Sequence, residues 1–117
     1  MPMTHFSKAQ EIKQPHMGRE GIHAFLGDVA VSNDEDKTIA AGFFRMEKSD
    51  EPLVYEYTYH EMKVIVEGSM VISDETGQKV LALPGDVFYF EKGSVITFNS
   101  EDYGIGFFCG QRREGEG

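Results

Sequence analysis

Tyr55, Tyr57, Tyr59, Glu61 and Lys63 occupy every second position of the segment YEYTYHEMK. In an extended strand that spacing puts all five on one face. A carboxylate turned into a protein interior must be paired, hydrogen-bonded or protonated. The hydroxyls of Tyr55 or Tyr57 can donate to Glu61, and Lys63 can neutralise it. Two kinds of chemistry follow. Glu61 can act as a general acid or base while Tyr57 orients a substrate, which makes these two the candidate catalytic residues. Alternatively the face only binds a small polar molecule, with Tyr55, Tyr57, Tyr59, Glu61 and Lys63 as contacts. A closed hydrogen-bond network with no ligand is the third reading. A bend between Tyr59 and Glu61 would flip Lys63 outward. His60 has the opposite parity and is expected outside, beside the site and able to reach it from a bend.

The elements that must position these residues read as short strands. From Tyr55 to Phe98 the chain carries turn signals at almost every boundary: Glu67-Gly68, Thr76-Gly77-Gln78, Pro84-Gly85-Asp86 and Lys92-Gly93-Ser94. β-Branched and aromatic residues fill the intervals, as in strands joined by tight turns. The even spacing predicts a sandwich or barrel and not βαβ units. Upstream, strands are predicted over 22–31 and 37–48, then LVYEYTY after Pro52. Downstream, 104–109 forms one more. Residues 1–20 read as an irregular N-terminal arm, 21–110 as the barrel domain and 111–117 as a flexible tail. His5 and His16 in the arm read as solvated, and His23 as structural.

The 117 residues allow one domain, with a formal net charge of -9. That charge argues against nucleic acid and anionic membranes as partners. No transmembrane run and no signal-peptide core stand in the sequence, so a cytoplasmic protein is expected. The lone Cys109 excludes an intrachain disulfide or a cysteine metal cluster, and it reads as a buried, inert thiol. No nucleophile elbow, P-loop or dinucleotide fingerprint is present.

The central stretch resembles the cupin family, small jelly-roll barrels with two motifs. Glu61 and Gly68, with Met62 to Glu67 between them, fit the second half of the first motif. Gly85 and Gly93 fit the glycines of the second, and Asp86 follows Gly85 as it commonly does. In most cupins two His, the Glu and a later His hold a divalent metal. Here the first two slots fall on Tyr55 and Tyr57, or on Val54 and Glu56 with the longer spacing. The last falls on Ile96, and only Glu61 remains. Losing three imidazoles removes most of the affinity for Fe, Ni, Cu or Zn. Within the family, YHEMKVIVEG with PGDVFYFEKGSVITF looks most like the EutQ-type domain of ethanolamine utilisation, which shares these replacements and the Tyr59-His60-Glu61 pattern.

The resemblance implies an all-β, single-domain cupin-type jelly-roll barrel and a homodimer. It turns Tyr55, Tyr57, Glu61 and Ile96 into the cavity. The first functional reading is a small EutQ-like cupin that binds a small polar molecule without the His-based metal site, His60 and Ile96 joining the five residues above. The second is an acid–base isomerase, lyase or hydrolase using Glu61 on a small carboxylate, sugar or amino-acid-derived compound. The third is a metalloenzyme with an atypical divalent set such as Glu61, His60 and a tyrosine. No cofactor is expected under the first two. The acetate-kinase-like activity linked to the EutQ type is not carried over, because the chain lacks a phosphate loop and matches the cupin half only.

Overall fold

Alternation of apolar and polar residues, cut by glycine turns, produces antiparallel sheets when each strand buries one face. The computed structural model describes residues 2–117. Its strands are β1 (Ala24–Val31), β2 (Ala40–Glu47), β3 (Leu53–Glu56), β4 (Glu61–Gly68), β5 (Met70–Ser73), β6 (Lys79–Ala82), β7 (Val87–Phe90), β8 (Val95–Asn99) and β9 (Tyr103–Gly110). They form a five-stranded sheet in the order β1-β2-β9-β4-β7 and a four-stranded sheet in the order β3-β8-β5-β6. All pairs are antiparallel. The two sheets face each other as one jelly-roll domain. Among the described residues, no helix is long and apolar enough to cross a membrane.

The core fills the space between the sheets. Phe44, Phe98 and Phe90 meet there edge to face, with ring centroids 5.1 Å and 5.8 Å apart. Met46, Leu53, Ile65, Met70 and Phe108 are fully enclosed around them. The turn glycines sit where expected: Gly68, Gly85 and Gly93 have φ of 67°, 95° and 97°.

Several boundaries differ from the sequence reading. β1 starts at Ala24, two residues late, because the His23 amide is taken by the Ser49 hydroxyl. His23 is exposed, not on the cavity face. β2 starts at Ala40 because Asp34 gathers the amides of Asp36 and Lys37 and the Thr38 hydroxyl into a loop. The expected strand LVYEYTY ends at Glu56, where the chain leaves one sheet for the other. Within the arm, Ala9–Glu11 is a short 3-10 turn. Further on, the arm runs along β1: Met17 donates to the Ala24 carbonyl and Leu26 to that of Pro15. Cys109 is only half-buried. It lies opposite Ala41 and Met62 on the outer face of the five-stranded sheet, and not in the core.

Candidate functional site

The segment Tyr57–His60 carries the chain from the four-stranded sheet to the five-stranded one. Its backbone stays pinned at the start, since Tyr57 donates to Ser94 O and accepts from the Gly93 amide. Burial alternates without a break through the crossing: Tyr57, Tyr59, Glu61 and Lys63 are buried, while Thr58, His60 and Met62 are exposed. The bend that could have turned Lys63 outward is there, but it preserves the alternation.

Between the sheets, Tyr57 donates to Glu61 Oε2 at 2.6 Å. Lys63 Nζ lies 3.5 Å from the same oxygen, with its side chain 3% exposed. The ammonium also sits over the rings of Phe44 (4.3 Å), Phe98 (4.5 Å) and Phe90 (5.6 Å). Burial pushes the Lys63 amine below its ordinary range, and Glu61 pulls it partly back. Burial, then the Glu61 charge and hydrogen bond, hold the Tyr57 phenol well above its ordinary range. Tyr55 is half-buried, and its hydroxyl meets that of Tyr59 at 3.0 Å. Ile96, paired opposite Tyr55, packs in the same core cluster.

Inward-facing glycines of β9 make room for this cluster. A Cβ on Gly106 would stand 3.1 Å from Lys63 Cγ and Cδ, and one on Gly110 would stand 3.0 Å from Tyr59 Cε2. The glycines of GIGFFCG thus admit side chains from β4 and from the crossing.

His60 is not part of the cluster. Its ring is on the surface, where Nδ1 lies 3.0 Å from the Tyr89 hydroxyl and accepts from the Lys92 amide. Glu61, His60 and a tyrosine therefore do not converge on one point. The metal held by most cupins does not fit the interior side chains either. Tyr55, Tyr57 and Ile96 bring no imidazole to this interior, and the Glu61 carboxylate already faces the Lys63 ammonium.

Sequence reasoning missed Arg112. The tail expected over 111–117 is anchored there: Arg112 is buried and grips Asp28 with two hydrogen bonds, 2.7 Å and 3.0 Å long. Its guanidinium lies 5.6 Å from the Tyr59 ring centre and 5.4 Å from that of Phe108. Burial raises the Asp28 carboxyl, but the Arg112 hydrogen bond, the Gly115 amide and the Arg112 charge bring it below its ordinary range. No local pattern in QRREGEG marks Arg112, because its partner Asp28 lies 84 residues away.

A cavity of about 310 Å³ opens at the barrel mouth, between β7 and the strands β5, β6 and β8. Its walls include Ile72, Val80, Phe88, Phe90 and Ile96, and its rim Ser73, Glu75 and Ser94. Phe90 lines this cavity and stacks on Tyr57 at 5.1 Å, so it divides the mouth from the buried cluster. Glu75 spends one oxygen on the Val95 amide. Among the described residues, no Lys or Arg lines the cavity.

The sequence profile of the family described as ethanolamine utilisation protein EutQ matches residues 9–108, and the chain belongs to that family. It is 34% identical over 70 residues to the protein named acetate kinase EutQ of Escherichia coli K12, a match covering 60% of this chain and 29% of that protein. The solved EutQ protein of Clostridium difficile superposes with a TM-score of 0.71 at 20% identity, covering 87% of this chain and 78% of that one. An RmlC-like cupin from Shewanella frigidimarina superposes with a TM-score of 0.65 at 17% identity, covering 96% and 95%. The structural likenesses establish a cupin fold.

Proposed function

We propose that this EutQ-family cupin binds a small amino alcohol or similar amine at the barrel mouth, without a catalytic metal. One observation carries the reading. The mouth offers an open cavity with aromatic walls, hydroxyls and an acidic rim, while Glu61 is sealed behind Phe90 with its charge met by Lys63. Aromatic faces and carboxylates attract an ammonium group, and Ser73 and Ser94 can meet a ligand hydroxyl. The lining's described residues include Asp74 and Glu75 and no Lys or Arg, which disfavours carboxylate and phosphate ligands. The family's link with ethanolamine utilisation points the same way.

Calorimetric titration with ethanolamine, acetate, glycerol and choline tests this. Saturable ethanolamine binding that weakens in Glu75→Gln and Phe88→Ala is expected. Binding of acetate in preference to ethanolamine would contradict it. The acid–base alternative at Glu61 has one observation in its favour, the 2.6 Å Tyr57 bond that could pass a proton. Glu61→Gln separates the two: a turnover reaction falls by roughly two to four orders of magnitude, whereas mouth binding persists. Acetate kinase activity is a further and separate proposal, since the chain spans 29% of the relative that carries that name.

We also propose a homodimer through the outer face of the five-stranded sheet. Met62 (52% exposed) and Val87 (71% exposed) leave apolar surface open on that sheet. Sedimentation should give twice the chain mass, and Met62→Glu with Val87→Asp should return it to one.

A further inference from the structure

Lys63 is a buried amine that mouth binding does not use. Its ammonium has one carboxylate oxygen at 3.5 Å and three aromatic rings around it, the nearest two at 4.3 Å and 4.5 Å. Tyr57 donates to the same carboxylate oxygen and holds it in place. Phe44 and Phe90 each meet Phe98 edge to face, which orients the three rings relative to one another. An aromatic box with a single anionic wall is the arrangement that receives organic ammonium ions. Here the guest is attached to the chain. Its stem crosses β9 over Gly106, where a Cβ would stand 3.1 Å from its Cγ and Cδ.

We propose that the barrel core is a receptor for primary alkylammonium ions that is filled by the chain's own Lys63. The receptor is formed by Glu61, Phe44, Phe98 and Phe90, and is separate from the mouth cavity behind Phe90. Because the tethered ammonium saturates it, the native protein takes no second cation at this point. Removing the tether frees the site. Lys63→Ala deletes three methylenes and the ammonium, a volume that ethylammonium or n-propylammonium refills. The lowered affinity of the Lys63 amine for protons reflects the same enclosure, and a free amine entering the box must carry its proton to be held by Glu61.

The test is thermal unfolding of native protein, Lys63→Ala, Lys63→Met and Lys63→Ala in a Glu61→Gln background. Each is measured with ethylammonium, n-propylammonium, 1-propanol and sodium as chloride or neutral additives. Lys63→Ala should gain stability with rising alkylammonium, by about 100-fold in the folding equilibrium at a concentration one hundred times the dissociation constant. Sodium and 1-propanol should not match it. Native protein and Lys63→Met, whose boxes are filled, should show no such gain. Adding Glu61→Gln should erase the preference for ammonium over 1-propanol. If Lys63→Ala does not fold alone, recovery of folded protein on refolding with n-propylammonium reads the same site. Equal effects on all four proteins, parity between 1-propanol and n-propylammonium, or no refolding recovery would overturn the proposal. Mouth binding by native protein is unaffected by either result, so the two readings fail separately.

Discussion

Tyr57, Glu61 and Lys63 share one small volume, and their protonation is coupled to folding. Burial, with help from Glu61, raises the phenols of Tyr57 and Tyr59 above the ordinary value of 10.0. A phenol raised in the folded state contributes stability that is whole below pH 10.0 and declines as pH climbs from there toward the folded value. Tyr57 and Tyr59 should therefore stay protonated in the folded protein at pH 10 to 11 and ionise only with unfolding. Ultraviolet phenolate absorbance against pH, followed beside circular dichroism, checks this. Reversible ionisation of all five tyrosines in folded protein would contradict it. Tyr57→Phe removes the 2.6 Å bond to a buried carboxylate. The expected loss is on the order of 1–3 kcal/mol, measured by denaturant unfolding. The five alternating residues were legible in the sequence because strand parity is a local property. The partners of Lys63 were not, since Phe44 and Phe98 stand on strands remote in sequence.

β9 decides how the cluster is accommodated. Its inward positions alternate Gly104, Gly106, Phe108 and Gly110, all buried, so side chains of other elements lie where its own would be. Gly106→Val should drive Lys63 from its seat above β9. Overpacking of this kind costs about 1–3 kcal/mol, and a denaturation midpoint equal to that of native protein would show that the stem yields freely. A glycine inside a strand commonly makes room for a neighbouring backbone. That holds at Gly104, where a Cβ would meet Ser69 O at 2.5 Å, but not at Gly106. Strand limits were displaced where side chains captured backbone amides, as Asp34 and Ser49 do. Such captures depend on the folded loop and leave no period in the sequence. Arg112 was invisible for a related reason: its partner Asp28 is 84 residues away. Arg112→Ala should destabilise by on the order of 1–3 kcal/mol, between an exposed and a sealed pair, and should loosen Tyr59.

At the scale of the whole molecule, the jelly roll and its glycine turns were readable, because the family pattern is one of spacing. The division of the interior was not. A buried, self-neutralised cluster and an open mouth meet at Phe90, and only three-dimensional packing separates them. Elemental analysis of untagged, purified protein should find no stoichiometric Fe, Ni, Mn or Zn, because an ammonium faces the one remaining carboxylate. One tightly held ion per chain would contradict this and return the metalloenzyme reading. The claim that the mouth is the binding site is tested most directly by amide-resolved nuclear magnetic resonance titration with ethanolamine. The account predicts saturable shifts confined to Ile72–Gln78, Val87–Phe90 and Ser94–Ile96, the segments that line the cavity. Saturable shifts centred elsewhere, or none at any ethanolamine concentration while another small molecule moves the Glu61 strand, would contradict it.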